Sequence, residues 1–302
     1  KSAEAVLIRE TPQYRIWNSF GERFSHDEPL PVMTERNPTL EIKAARREKE
    51  SVHLAVTAAQ PLKQLEAAVT PLVGPDGFRI GEVRVQYPGF VGNDRGEIFT
   101  DILYERYKQQ NSTHHFVMLT LNIPSKAPAG IYRGRISLKL NGEGIETIPL
   151  ELEVYDFELP ETPGLRTAFS VKRSHIGKAF KNPEIADRQY ELLLDLCREY
   201  RISPRLVGTA PQYRLNGDKL EIDWREFDRA ATNYFDDCKF TVYQPELGQL
   251  GSHDHFYRLP DMFKKNMKAG DPLFNRIWTQ YIRQLCDHHR EHGWFDKMLF
   301  VI

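Results

Sequence analysis

The stretch IPLELEVYDFELPETPGLRTAFS, residues 148–170, separates two parts of the chain that have different sequence patterns. From Ile148 to Val154 every second residue is aliphatic, which predicts a strand with one buried face. Pro160 and Pro163 then prevent both a helix and a hydrogen-bonded strand from continuing. A second apolar run begins at Leu165. The stretch therefore predicts a hinge, residues 159–164, between two domains.

The residues before the hinge predict an antiparallel β-sandwich domain over residues 1–158. Apolar and polar residues alternate in several short segments, at residues 40–42, 52–56, 117–123 and 136–140. The last of these is predicted to form a hairpin with the strand from Ile148, through a turn at residues 141–144. Repeated hairpins of this kind are typical of two packed sheets.

The residues after the hinge alternate between strand and helix patterns. Apolar runs predict strands at residues 165–171, 202–208, 240–243 and 298–302. N-cap and proline signals predict three helices, which begin at Asn182-Pro183, at Asp223 with Glu226, and at Asp271-Pro272 with Gly293 at its end. This alternation is typical of parallel strands joined by helices, either in an open doubly wound sheet or in the first half of a (β/α)8 barrel.

The barrel is favoured because no glycine-rich nucleotide fingerprint follows the first predicted strand, where Lys172-Arg173-Ser174-His175 stands instead. Residues 165–302 are too few for a whole barrel, which needs about 250 residues. The sequence also stops inside the apolar run 298–302, and a buried parallel strand normally leads into a covering helix. We therefore expect this sequence to be the N-terminal part of a longer protein.

The composition excludes some classes of partner. The 302 residues include 41 basic and 42 acidic side chains, so a net charge of -1 provides no general attraction to nucleic acid or to an anionic membrane. No apolar run approaches the roughly 18 residues of a membrane-spanning helix. The three cysteines, Cys197, Cys238 and Cys286, lie within helical patterns without CxxC spacing, so we interpret them as core residues and not as disulfides or metal ligands.

Three stretches resemble a known family. They are residues 42–56 (IKAARREKESVHLAV), 123–140 (IPSKAPAGIYRGRISLKL) and 148–170, and the most specific parts are PAGIYRG and YDFxLPETP. The chain resembles the N-terminal sandwich and domain junction of glycoside hydrolase family 123 and its uncharacterised relatives. The resemblance extends over most of the chain.

This resemblance implies a secreted or otherwise extracytoplasmic bacterial β-N-acetylgalactosaminidase-like exo-glycosidase that acts on a glycan and needs no cofactor. In the family the 2-acetamido oxygen of the sugar attacks the anomeric carbon, and an Asp-Glu pair after the fourth barrel strand assists. Here the fourth strand ends at Ile302, so we expect the pair just beyond it, assign no catalytic residue, and expect this fragment alone to be inactive. The alternative is a non-catalytic carbohydrate-binding or structural module.

Candidate substrate-binding residues follow the predicted strands, because barrel active sites form at the C-terminal ends of strands. Arg173 and His175 follow the first strand, and the third strand is followed by Gln244, Glu246, His253 and His255. All are polar and can bond sugar hydroxyls. The HxH spacing at residues 253–255 would also suit zinc, but without an identified third ligand we predict no metal site. His114 and His115 are neighbours on a strand, point to opposite faces and are interpreted as structural.

Overall fold

The computed structural model describes residues 5–19, 33–171, 173–245 and 271–299. The chain divides into two compact units, Lys1–Leu159 and Pro160–Ile302. The first unit is built from strands and the second combines helices with a small hairpin. No helix within the described ranges is long and apolar enough to cross a membrane.

The described part of the first unit contains two large sheets. Their strands are β1 (Ala5–Glu10), β2 (Tyr14–Ser19), β3 (Met33–Arg36), β4 (Leu40–Arg46), β5 (Lys49–Ala58), β6 (Leu65–Val69), β7 (Leu72–Val73), β8 (Arg79–Ile80), β9 (Val83–Gly92), β10 (Ile98–Tyr104), β11 (His114–Asn122), β12 (Gly130–Leu140) and β13 (Glu143–Glu158). One sheet has the order β10-β9-β11-β5-β2-β1-β3. The other has the order β4-β13-β12-β7-β8, and β6 also pairs with β12.

Both sheets contribute side chains to one hydrophobic core. Ile16, Leu54 and Val117 come from the first sheet, and Leu40 and Ile136 from the second, and all five are almost completely buried. One face of each strand packs against this core, where removing apolar surface from water is the main stabilising contribution. The neighbouring residues on strands of the first sheet form a second, smaller buried cluster of Ala5, Trp17, Ala55 and Phe116. The strands predicted near residues 40–42, 52–56 and 117–123 are confirmed.

The hairpin that precedes the hinge is confirmed, with a shorter turn than predicted. β12 and β13 pair antiparallel from Gly130 opposite Val154 to the far end of the hairpin. The turn consists of Asn141 and Gly142, whose φ angles of 52° and 78° both lie in the left-handed region that a two-residue type I′ turn requires. The Asn141 Oδ1 atom accepts hydrogen bonds from the Lys63 amide at 2.7 Å and the Gln64 amide at 3.2 Å, which ties the turn to the preceding loop.

The second unit contains four described helices, α1 (Arg173–Ala179), α2 (Pro183–Glu199), α3 (Arg225–Thr232) and α4 (Pro272–Glu291). A hairpin of β14 (Gln212–Asn216) and β15 (Lys219–Asp223) lies between α2 and α3, and a π-helical turn, Asn233–Asp237, follows α3. The core of this unit is rich in aromatic residues, among them Phe227, Tyr234, Phe274, Tyr281 and Trp294.

The predicted starts of α2 and α4 are confirmed, whereas the capping box of α3 is wrong. Pro183 and Pro272 each occupy the first turn, and Gly293 adopts a φ of 69° just beyond the end of α4. At α3 the N-cap residue is Trp224, which makes no side-chain cap bond. Asp223 accepts a hydrogen bond from the Arg225 amide at 3.1 Å and forms an ion pair with the Arg225 guanidinium, and Glu226 pairs with Arg229, so the two carboxylates do not make the reciprocal bonds of a capping box.

Asn182 caps α2, and its replacement by alanine should destabilise the second unit. The Asn182 Oδ1 atom accepts hydrogen bonds from the amides of Glu184 at 2.9 Å and Ile185 at 3.4 Å. We expect Asn182→Ala to lower the free energy of unfolding by about 1 kcal/mol, measured by urea denaturation. The matched control is Asn233→Ala, an exposed residue in helical conformation, for which a change within about 0.5 kcal/mol is expected. Equal effects of the two variants would contradict the capping role.

The four predicted strands of the second unit do not form as continuous strands in the described residues. They contain isolated parallel bridges, Phe169 to Pro204 and Tyr243 to Met298. Pro204 has no amide hydrogen and therefore interrupts the ladder, and Leu165 is 77% exposed and does not join a core. Residues 300–302 of the last predicted strand lie outside the described ranges.

Candidate functional site

The four segments that were predicted as strands lie side by side in chain order. The Phe169 amide donates to the Ser203 carbonyl at 2.9 Å, and the Arg205 amide donates back to the Phe169 carbonyl at 2.6 Å. The Gln244 amide donates to the Arg205 carbonyl at 2.8 Å, which joins the third segment to the second. The Leu299 amide donates to the Tyr243 carbonyl at 2.7 Å, which joins the fourth to the third. Both bridges are parallel, and Ser203 bonds to Thr241 just before Arg205 bonds to Gln244, so neighbouring segments run in the same direction and their C-terminal ends lie on the same side.

Two buried polar atoms on the second and third segments have no hydrogen-bond partner among the described residues. Gln244 is only 4% exposed, and its Oε1 atom is unpaired. The Arg205 Nε atom is also buried without a partner. A buried polar group without a partner costs about 1–3 kcal/mol, so such groups in a folded protein need an explanation such as a bound polar molecule. Arg205 offers a charged donor and Gln244 an acceptor, a combination suited to a hydroxyl-rich ligand.

A third unpaired group, the Tyr190 hydroxyl of α2, lies against the end of the second segment. A Cβ atom placed on Gly208 would lie 2.5 Å from the Tyr190 Oη atom, so only glycine allows this approach. Gly208 also has a φ of 92°, which disfavours any other residue. Burial raises the pKa of Tyr190, and nearby Arg173 opposes this rise to a smaller extent. The hydroxyl is buried and has no hydrogen-bond partner.

We define the candidate site as Tyr190, Arg205 and Gln244. Of these only Gln244 is among the residues predicted from the sequence. Tyr190 lies within the helix predicted to begin at Asn182-Pro183, and Arg205 lies within the strand predicted at residues 202–208. One feature of the sequence could have identified Arg205, namely its position within an apolar strand pattern. A charged side chain is rarely buried in such a strand unless it binds a partner or a ligand.

Arg173 and His175 follow the first segment and lie in helix α1, where both are exposed. The Arg173 Nε atom donates to the Asp187 Oδ1 atom at 3.0 Å, so this guanidinium already has a partner on α2. No hydrogen bond or ion pair described within the second unit joins either residue to Gln244. Glu246, His253 and His255 lie outside the described residues.

Tyr243, the last residue of the third segment, belongs to the core. It is 5% exposed, and its ring stacks on His289 at a centroid distance of 5.5 Å and an interplanar angle of 3°. Phe227 and Phe235 contact it as well. Its ring faces are therefore occupied by neighbouring aromatic side chains.

Comparison with known proteins shows a fold relationship. No family model matches the chain, and no curated protein matches it. Among solved structures it is similar to a family 123 glycoside hydrolase from Clostridium perfringens, with a TM-score of 0.60 and 18% identity. The match covers 87% of this chain and 53% of that protein, so the chain spans about half the length of its neighbour. At this identity the likeness shows a shared fold.

Fimbrial proteins are also similar, over the smaller part of the chain. The Myf fimbrial subunit MyfA from Yersinia enterocolitica matches 39% of the chain with a TM-score of 0.26 and 12% identity. The Salmonella adhesin SafD matches 40% with a TM-score of 0.25 and 12% identity. These scores are too low to indicate a common fold.

Proposed function

We propose that this chain is the N-terminal part of a glycoside hydrolase of the family 123 type. The observation that carries the proposal is the fold likeness to such an enzyme over 87% of the chain. The parallel order of the four segments in the second unit supports it, because this is the order in which a (β/α)8 barrel begins. In this proposal residues 1–158 form a β-sandwich domain, and residues 165–302 form the first half of the catalytic barrel.

The proposed reaction is the removal of a terminal N-acetylhexosamine, N-acetylgalactosamine or a close relative, from a glycan with retention of configuration. The acetamido oxygen of the sugar would act as the nucleophile, so the protein has to supply an acid for the leaving oxygen and a carboxylate that orients the acetamido group. Both carboxylates are expected just after residue 302, at the end of the fourth segment. A glycan substrate of this kind fits an extracytoplasmic protein.

The candidate site would hold the sugar beside these carboxylates. The Gln244 Oε1 atom would accept a hydrogen bond from a sugar hydroxyl, and the Arg205 Nε atom would donate one to a sugar oxygen. The Tyr190 hydroxyl can do either. All three atoms are buried and have no hydrogen-bond partner among the described residues. A hydrogen bond to a ligand would therefore break no bond within the protein, and it would remove the free-energy cost of an unpaired buried group. Arg173, His175, Glu246, His253 and His255 remain proposed contacts at the rim.

The test is the activity of the full-length protein on an aryl N-acetylgalactosaminide. We expect Gln244→Ala to lower kcat/KM about fivefold, since one lost hydrogen bond to a neutral group is worth about 1 kcal/mol and a factor of ten corresponds to about 1.4 kcal/mol. The matched control is Gln212→Ala, which changes an exposed glutamine on β14 and should leave kcat/KM unchanged.

Two outcomes would contradict this proposal. A full-length protein that binds glycans but releases no sugar from any N-acetylhexosaminide would instead be a carbohydrate-binding module. An active enzyme in which Gln244→Ala and Gln212→Ala behave alike would retain the reaction but exclude Gln244 from the site.

A further inference from the structure

A cluster of three metal-ligand side chains lies between α3 and α4, apart from the candidate site. It consists of Asp228, His288 and His292, whose ligand atoms all lie within 4.8 Å of one another. His288 lies in the last turn of α4, and His292, four residues later, is the C-cap residue in helical conformation, so the two side chains lie on the same face of the helix end. The His288 Nε2 atom lies 2.7 Å from the Asp228 Oδ1 atom of α3. Two helices thus bring a carboxylate and two imidazoles to one point.

The two imidazole rings are held in orientations that suit a metal ion. The His292 Nδ1 atom donates to the His288 carbonyl at 2.9 Å, which leaves its Nε2 atom available as a ligand. Metal-binding histidines usually donate their other ring nitrogen to a carbonyl or carboxylate in this way. Trp224 stacks on His288 at 4.1 Å and 7°, and Trp294 stacks on His292 at 4.7 Å and 29°.

The cluster is open to solvent on one side. The side chains of His288 and Asp228 are 11% and 31% exposed, and His292 is exposed. An ion can therefore enter and keep a water molecule as its fourth ligand. Ligands at about 2.0–2.1 Å from a tetrahedral zinc ion are about 3.3 Å apart, so the Asp228 carboxylate would move outward by about 0.6 Å from its present hydrogen bond.

The local charge also favours a cation. The cluster lies at the C-terminal end of the 20-residue helix α4, where the helix dipole places partial negative charge. The Asp228 carboxylate adds a full negative charge. The nearest basic residue of the same helix turn, Arg290, is paired with Asp287 at 2.9 Å.

We propose that Asp228, His288 and His292 form a binding site for Zn²⁺ or a similar divalent transition-metal ion, which would join α3 to α4. Two imidazole nitrogens and one carboxylate oxygen are the ligand types that zinc prefers, and Co²⁺ and Ni²⁺ accept the same set. The HxxxH spacing of residues 288 and 292 within a helical pattern is visible in the sequence, but the carboxylate is supplied by a residue far away along the chain.

The test is calorimetric titration of the metal-free purified chain with ZnCl₂, followed by Co²⁺ as a spectroscopic probe. We expect saturable binding of about one equivalent, and visible absorption from bound Co²⁺ in low coordination. Asp228→Asn and His292→Gln should each weaken metal binding at least about tenfold. Replacing a residue that only hydrogen-bonds to a metal ligand already lowers metal affinity about 10–100-fold. Asp287→Asn is the matched control, because it removes an exposed carboxylate from the same helix turn. This variant should bind Zn²⁺ as tightly as the unmodified chain.

His292 is exposed, so His292→Gln should fold normally, and circular dichroism of each variant verifies this. Absence of saturable binding to the unmodified chain overturns the proposal. So does binding that Asp228→Asn and His292→Gln leave unchanged. Binding that is lost only on replacing His253 and His255 would assign the ion to those residues, and would overturn the proposal equally.

Discussion

Acidification from pH 6.5 to 4 should destabilise both units, because each contains a fully buried histidine that is neutral in the folded chain. In the first unit, burial lowers the pKa of His115 to about 4. Its Nε2 atom accepts a hydrogen bond from the Leu62 amide at 3.1 Å, and its Nδ1 atom lies 2.8 Å from the Tyr107 hydroxyl. That hydroxyl donates to the Leu62 carbonyl at 3.0 Å. Every member of this network is satisfied when the proton is on Nδ1, and a second proton on Nε2 would face the Leu62 amide.

In the second unit, burial likewise lowers the pKa of His289 to about 4. Its Nδ1 atom donates to the Leu285 carbonyl at 2.8 Å, and its Nε2 atom is buried without a partner. The rings of Tyr243, Phe227 and Trp294 pack around this histidine, and no acceptor among the described residues reaches its Nε2 atom. The charged form therefore loses its hydration, and the attraction of the Asp228 carboxylate offsets only part of this cost.

The sign of the pH effect follows from these lowered values. Above the unfolded pKa of 6.5 both states are neutral, and stability does not depend on these groups. Between pH 6.5 and 4 the unfolded chain binds the protons and the folded chain does not, so stability falls as the pH falls. A shift of this size corresponds to about 3 kcal/mol for each histidine at the acid end of the window.

Urea denaturation at pH 7 and at pH 4.5 measures this loss. His289→Phe keeps the ring shape and removes the titrating group, so unfolding of the second unit should become less dependent on pH. His175→Gln removes an exposed histidine and should leave the dependence as it is. An unfolding free energy that stays constant between pH 6.5 and 4.5 would contradict the assigned pKa values.

Tyr234→Phe should destabilise the second unit by about 1–3 kcal/mol. The Tyr234 hydroxyl donates to the Pro204 carbonyl and lies 2.6 Å from the Val242 carbonyl, so it links the second and third segments. Burial raises the pKa of Tyr234, which keeps the hydroxyl protonated and able to donate. The single hydroxyl proton is shared between the two carbonyls, so its removal loses about one buried hydrogen bond and costs about 1–3 kcal/mol.

Tyr190→Phe is the matched control for Tyr234→Phe. Both hydroxyls are buried in the second unit, but that of Tyr190 has no partner, so its removal should leave stability unchanged or slightly raised. Unfolding free energies of both variants, from urea denaturation, give the comparison. A loss for Tyr190→Phe as large as that for Tyr234→Phe would contradict the assigned bonding. If the candidate site is correct, Tyr190→Phe should weaken substrate binding while it retains the fold.

The sequence was sufficient for elements whose signals are local. Alternating apolar residues identified β4, β5 and β11, and the Asn182-Pro183 pair identified the start of α2. The hairpin β14–β15 was missed although it carries the same kind of signal, an Asn216-Gly217 turn between alternating residues. A helix, α1, was missed because its residues were interpreted as the loop that a barrel strand would require.

Features that depend on distant residues were not predictable. The pairing of Asp228 with His288 joins two helices, and no local pattern identifies the partner. The unpaired state of Arg205 depends on which groups the neighbouring segments place around it. The strand predicted at residues 202–208 failed for a different reason. The segment does lie beside its predicted neighbours, but Pro204 has no amide hydrogen, so only a single bridge forms instead of a continuous strand.

The parallel pairing of β4 with β13 has a consequence for synthesis on the ribosome. Leu40 pairs with Leu150, and β13 is the only sheet partner of β4 within the described residues. During translation β4 leaves the exit tunnel early. Its partner β13 leaves the tunnel only after most of the first unit has been synthesised. Until then its backbone donors and acceptors are open to other nascent chains. We expect the first unit to fold late, in one step after residue 158 emerges, and to depend on chaperones in the interval.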